Sequence, residues 1–85
     1  MIFRIAIFGP LSRAVESKTF AIQMPDDTCT CNMLRLGLIS MFQGRPDIIE
    51  HLLAARFALN HEFVADDHSI SSIDEIALIG AVSGG

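Results

Sequence analysis

The longest stretch with helical spacing in this 85-residue sequence lies between Pro25 and Pro46. Cys31, Leu34, Leu38, Met41 and Phe42 fall at i, i+3, i+7, i+10 and i+11, which lines them along one continuous face. Thr28 follows the acidic pair Asp26-Asp27 and is expected to cap the start, where carboxylates suit the positive end of a helix dipole. Gly44 stands where a left-handed C-cap is expected, and Pro46 prevents continuation. Gly37, near the edge of the buried face, costs about 1 kcal/mol relative to alanine and predicts a close approach to a neighbouring sheet. Leu36 points almost directly away from that face. A lone amphipathic helix of this kind needs a flat apolar surface to lie on.

The flanking segments supply one. Phe3, Ile5 and Ile7 alternate with Arg4, Ala6 and Phe8, the pattern of a half-buried strand over residues 2–8. Gly9-Pro10 ends it, and Ser12 to Lys18 reads as a polar connector. Phe20, Ile22 and Met24 alternate with Thr19, Ala21 and Gln23 in a second strand, which suggests an antiparallel pair with the first. After the helix, Asp47 to Leu53 reads as a short helical or irregular crossover. Phe57 and Leu59 then alternate with Arg56, Ala58 and Asn60. Asn60-His61 suits a tight hairpin turn before Glu62-Phe63-Val64, because asparagine tolerates positive φ. Asp66 to Ser72 reads as a polar loop. Ile76-Ala77-Leu78-Ile79 is apolar on both faces, the mark of a central strand or of one whose outer face meets a partner. The expected fold is α+β, one domain over residues 1–85 with a tail at 81–85. One main helix crosses a mixed sheet of four to five strands, the β-grasp arrangement of ubiquitin.

Charge and composition exclude several functions. The formal net charge is −4 and the six lysines and arginines are scattered, so no basic stripe is legible and nucleic-acid binding is not expected. An acidic chain can instead be steered towards a basic partner protein. Residues 2–8 are too few to span a membrane and include Arg4, and no signal-peptide pattern precedes them, so the cytoplasm is the default compartment. Cys29 and Cys31 are too close for an unstrained disulfide and too few for a zinc site; they read as small apolar residues in the first turn of the helix. A thiol activated at a helix N-terminus is the alternative. His51, His61 and His68 lie in different elements and read as surface histidines, so no metal site is expected. Asp66-Asp67-His68 lacks the spacing of a calcium loop, and Asp74-Glu75 reads as part of a turn.

The sequence ends in Ala81-Val82-Ser83-Gly84-Gly85. Two side-chain-free residues can thread a narrow channel and bring their backbone close to a nucleotide. Five residues beyond the last strand reach about 17 Å when extended. If Phe3, Ile5, Ile7, Phe57 and Leu59 face the helix, then Phe8, Ala58, Ala77 and Ile79 lie together on the other side of the sheet near this tail, a candidate contact surface.

Four stretches carry a family resemblance: Leu11 after Phe8-Gly9-Pro10; the run from Ala55 to Val64 with its Arg-x-Ala-x-Asn-x-Glu-x-Val pattern at 56–64; Asp74-Glu75-Ile76-Ala77-Leu78-Ile79; and Val82-Ser83-Gly84-Gly85. In these the chain resembles the small subunits of molybdopterin synthase, sulfur carriers related in fold to ubiquitin and to the thiamine-pathway carrier. Gly80-Ala81 replaces two prolines frequent in the family, which makes the tail less rigid. Ser72-Ile73-Asp74-Glu75 replaces an Asp-Gly-Asp-Glu turn, and Asn60-His61 an Asn-Gly hairpin.

The resemblance implies a cycle. A ubiquitin-activating-type adenylyltransferase uses Mg-ATP to adenylate the Gly85 carboxylate, a poor electrophile until so activated. A persulfide donor then provides the sulfur of a C-terminal thiocarboxylate. The tail, through Val82, Ser83, Gly84 and Gly85, enters the large subunit of molybdopterin synthase, where the sulfur attacks a cyclic pyranopterin phosphate. On this reading the chain binds no cofactor and is a cosubstrate more than an enzyme. The alternatives are a thiamine-pathway carrier and a β-grasp module that binds partners non-covalently.

Overall fold

A computed structural model describes residues 1–80. Its main sheet has the order β2-β1-β7-β4-β5, built from β1 (Ile2–Phe8), β2 (Thr19–Gln23), β4 (Arg56–Leu59), β5 (Glu62–Phe63) and β7 (Ile76–Ile79). The sheet is mixed: β1 and β7 run parallel, and the other neighbours pair antiparallel. A separate ribbon joins β3 (Thr28–Thr30) to β6 (Ser69–Ser71). Among the described residues three helices complete the fold: α1 (Pro10–Val15), α2 (Cys31–Met41) and α3 (Pro46–Ala54). One sheet with helix α2 packed on one face is the β-grasp fold.

The core forms where the period-two and period-3.6 faces meet. Phe3, Ile5 and Ile7 of β1, Phe57 and Leu59 of β4 and Leu78 of β7 are all buried, against Cys31, Leu34 and Leu38 of α2. Phe20 and Phe42 close one edge with ring centroids 5.5 Å apart. Gly37 has the reason expected of it: a Cβ there would lie 2.9 Å from Ile22 Cδ1 on β2. Leu36 is exposed, and Met41, at the end of the expected apolar face, is exposed as well.

Three local expectations need correction. Residues 10–15, read as connector, form a turn and a half of helix, started by Pro10 and anchored by the fully buried Leu11. The cap of α2 is Thr30, not Thr28: its hydroxyl accepts from the Met33 N–H at 3.1 Å, while Thr28 begins β3. Cys29 therefore lies in a strand opposite Ile70, and only Cys31 is helical. Part of the polar loop at 66–72 is itself strand, because Ile70 is fully buried beneath the ribbon. The crossover after α2 is helical over nine residues, with Ile48 and Leu52 buried one turn apart.

Arg35 joins these pieces. It lies beside Leu34 on α2 and is 6% exposed. Its guanidinium donates to the carbonyls of Leu52 and, at 2.7 Å, Ala55, at the negative end of α3. It also meets Asp66 Oδ1 at 2.8 Å and stands 5.2 Å from the centre of the Phe57 ring. Asp66, at the start of the segment expected to be a polar loop and itself exposed, is thus one anchor of a buried cation.

Candidate functional site

The face of the sheet away from α2 is set by strand register. Ala6 pairs with Ala77 and Phe8 with Ile79 across β1 and β7; Ala58 pairs with Ala77 across β4 and β7, and with Phe63 across β4 and β5. Partners in register project to the same side. The structure therefore brings Phe8, Ala58, Ala77 and Ile79 onto one surface, with Ala6 and Phe63 added to it. The three alanines form the floor of a trough of about 390 Å³. Phe8 and Phe63, each 53% exposed, stand up at its sides. No described element covers it.

The ends of the trough differ. At one end, Asn60 and His61 turn the chain with φ of 51° and 73°, left-handed at both positions. The Asn60 N–H donates to the Glu75 carbonyl at 2.9 Å, and Asn60 Oδ1 accepts from the Glu75 N–H at 3.2 Å. His61 Nε2 and Glu75 Oε2 are 2.6 Å apart over the same turn. At the other end the chain leaves the sheet. The Gly80 N–H donates to the Phe8 carbonyl at 2.9 Å, and a Cβ at Gly80 would lie 3.0 Å from the Leu11 nitrogen. Gly80 is buried, so at this position backbone contact, not proline, holds the chain. Ala81, the other residue that stands in place of the family's prolines, lies outside the described residues. Val82, Ser83, Gly84 and Gly85 lie outside the described residues.

Along the trough's side, the Arg56 guanidinium lies 4.4 Å from the centre of the Phe63 ring. This contact and the His61–Glu75 pair went unread in the sequence, although a two-residue turn at 60–61 sets Ala58 against Phe63 and leaves Arg56 diagonal to it.

The cysteines offer no competing chemistry. Both thiols are free and buried. Burial pushes the Cys29 thiol up; burial and then the nearby Asp66 charge push Cys31 up to about 11. An activated helix-terminal thiolate needs the opposite shift. Among the described residues no group of three or more His, Cys, Asp or Glu is placed to hold a metal ion, and no helix is long and apolar enough to cross a membrane.

Comparison with known proteins agrees with this geometry. Residues 37–85 match the model of the ThiS family. The molybdopterin synthase sulfur carrier subunit of Dictyostelium discoideum is 30% identical over 86 residues, spanning 98% of this chain and 95% of that protein. Among solved structures, SAMP1 from Haloferax volcanii superposes over the whole of both chains with a TM-score of 0.73 at 21% identity. A chain from the protein–protein complex of subunits 1 and 2 of the molybdopterin-converting factor of Helicobacter pylori also covers both chains fully, with a TM-score of 0.58 at 23% identity. These two likenesses establish the shared fold, and the sequence matches establish descent. The chain belongs to the ThiS family of ubiquitin-like sulfur carriers, as a homologue of the molybdopterin synthase small subunit.

Proposed function

We propose that this chain carries sulfur as a thiocarboxylate on Gly85 and delivers it, inside the large subunit of a molybdopterin synthase, to a cyclic pyranopterin phosphate. The observation that supports this most is spatial. An apolar trough that no described element covers ends at Phe8 and Ile79, and the chain leaves the sheet at Gly80, next to both, five residues before Gly85. A partner that covers the trough thereby receives the tail at a defined place. Extended, those residues carry a carboxylate about 17 Å into the partner.

The chemistry follows from what a carboxylate lacks. Its charge repels nucleophiles, so an adenylyltransferase first joins it to AMP from Mg-ATP and releases pyrophosphate. The terminal sulfur of a persulfide displaces AMP, and a second thiol reduces the remaining S–S bond to leave the thiocarboxylate. The chain's own part is to present Gly85 and dock through Phe8, Ala58, Ala77 and Ile79, with Val82 and Ser83 leading the tail. The large subunit provides the pocket and the acid–base groups. Sulfur does not pass through Cys29 or Cys31, which are buried and held protonated.

Mass spectrometry tests this directly. Incubated with the activating enzyme, Mg-ATP and a persulfide donor, the chain gains the mass of one oxygen replaced by sulfur, localised to Gly85. Deleting Gly85 abolishes the gain; Gly84→Ala reduces it, because alanine excludes much of glycine's φ range. The loaded chain converts the pterin precursor only with the large subunit present. A thiamine-pathway carrier instead fails in that assay and supports thiazole formation. A non-covalent module never acquires sulfur yet still binds its partners.

A further inference from the structure

The six lysines and arginines that look scattered in sequence are sorted by the fold. Arg35 pairs with Asp66 at 2.8 Å and Arg45 with Asp47 at 3.1 Å. Among the described residues the other four, Arg4, Arg13, Lys18 and Arg56, take no part in an ion pair. Three of these surround the place where the chain leaves the sheet. The Ile7 N–H donates to the Lys18 carbonyl at 2.9 Å, which fixes Lys18 beside the end of β1. Arg13, on α1, lines a shallow recess with Lys18, Phe8 and Gly9, the residue whose Cβ position faces Gly80. Arg56 is the register partner of Ile79, one residue before Gly80, and lies over Phe63. All three are exposed.

Five of the ten carboxylates gather elsewhere. Met24 bonds to Met1 at the start of β1, so Asp26 and Asp27 follow at the end opposite Phe8. Backbone bonds from Ser72 to Asp27 and from Asn32 to Asp66 draw the loops holding Asp66, Asp67 and Asp74 to that same ribbon. The length of β1 separates the two ends by about 20 Å, beyond a Debye length at physiological salt. Glu16 does sit at the end of α1, where its charge acts on Arg45, and α3, packed against α1, carries Asp47, which Arg45 pairs, and Glu50. A chain of net charge −4 is therefore basic where its tail emerges and acidic at the far end.

We propose that Arg13, Lys18 and Arg56 form a cationic collar around the tail exit, which docks on a partner protein whose tail-receiving mouth is rimmed by carboxylates. This reverses the basic partner that net charge alone suggests, and it rests on the carrier reading above. A protein is favoured over a phosphate ligand because the cations stand on a helix, a loop and a strand around the end of an apolar trough. Arg56 is itself stacked on Phe63 in the trough wall, so whatever covers the trough meets it. Such charges act over distance, orienting the encounter and raising its rate more than they deepen the final complex.

The test is the association rate of the full-length chain with the large synthase subunit, measured by stopped flow across a range of salt. Arg13→Glu with Lys18→Glu lowers the rate about tenfold or more at low salt and converges on wild type at high salt. Arg13→Gln with Lys18→Gln gives a smaller loss of about threefold in the same direction. Asp26→Lys with Asp67→Lys, at the far end, changes the rate less than about twofold. Unchanged or faster association of the folded reversal variants overturns the proposal. So does unchanged association accompanied by a raised KM for ATP during loading, which assigns the cations to nucleotide phosphates instead. Should the wild type associate rapidly, with the collar dependence described, yet never acquire sulfur, the collar stands and the carrier chemistry falls.

Discussion

The two faces of the main sheet are made from the same strands and differ in what they carry. Towards α2 project Phe3, Ile5, Ile7, Phe57 and Leu78, large side chains that are at most 2% exposed. Towards the other side project Ala6, Ala58 and Ala77, with the large residues Phe8, Phe63 and Ile79 confined to the margins. A face that fills itself with volume leaves no space for a partner. A face floored with alanine and walled with aromatics is apolar without being full, so burial remains to be gained when another surface covers it. In this chain one face holds the fold together, and the other, which no described element covers, is the face proposed above for docking.

That contrast breaks first at Phe57. Truncation to alanine removes a fully buried ring from the helix-covered face and is expected to cost about 3–5 kcal/mol, read from urea or guanidinium unfolding. It also strips the aromatic partner from Arg35. A loss below about 1 kcal/mol means that the face repacks freely, and the division of labour between the faces is then false.

Ile79→Glu puts the same question to the other side. Ile79 is half-buried, pairs with Phe8 and Arg56, and faces the trough. The substitution is expected to weaken binding to the large subunit by about 2 kcal/mol, roughly thirtyfold, while stability falls by about 1 kcal/mol or less. Isothermal titration and thermal unfolding of one preparation separate the two. A folded variant that binds as well as wild type removes the trough from the interface. A variant that unfolds by several kcal/mol shows instead that Ile79 belongs to the core.

The cysteines sharpen the comparison from the inner side. Cys29→Ala with Cys31→Ala is expected to cost about 1–2 kcal/mol of packing and to leave sulfur loading at Gly85 intact. A pH signature accompanies it. The Cys31 thiol ionises near 9 when exposed and near 11 when folded, so above pH 9 the unfolded chain sheds its proton first. Wild-type stability therefore falls as pH rises from about 9 towards 11, and the double variant loses less over that window. A folded double variant that cannot deliver sulfur relocates the chemistry to the thiols.

How much of this was legible in the sequence depended on segment length. Helix α2 announced itself because its apolar face recurs over three turns, and β1 because alternation persists through seven residues. The ribbon of β3 and β6 did not, since each strand is three residues long with one inward side chain, Cys29 or Ile70. That is too short to show a period. The same brevity hid α1, whose single fully buried residue is Leu11, and it moved the cap of α2 from Thr28 to Thr30. Arg35 was invisible for another reason: a buried cation is legible only from its partners, and the carbonyls of Leu52 and Ala55 arrive through tertiary packing. The surface of Phe8, Ala58, Ala77 and Ile79 was readable because period two fixes which side each residue takes, whatever the register. Its end at His61 and Glu75 was not, because that pairing needs the two turns brought together.

The smallest expected effect lies at that end. His61 occupies a left-handed conformation, φ 73°, at the second position of a two-residue hairpin turn, where glycine carries no steric penalty and a β-carbon does. Its side chain is 86% exposed and enters no core contact, so His61→Gly removes strain without leaving a cavity. The pair with Glu75 is lost, but both side chains are largely in water, where such pairs contribute little. The Asn60 bonds to Glu75 run through the Asn60 N–H and Oδ1 and survive the change. The substitution is therefore expected to raise stability slightly, by about 0.5–1 kcal/mol, visible as a shift of a few degrees in Tm. A glycine variant that melts lower shows that the imidazole and Glu75 hold the 60–61 and 74–75 turns together more firmly than an exposed pair should. The rim of the alanine-floored face would then be part of what keeps the sheet folded, and the separation between the two faces would end at His61.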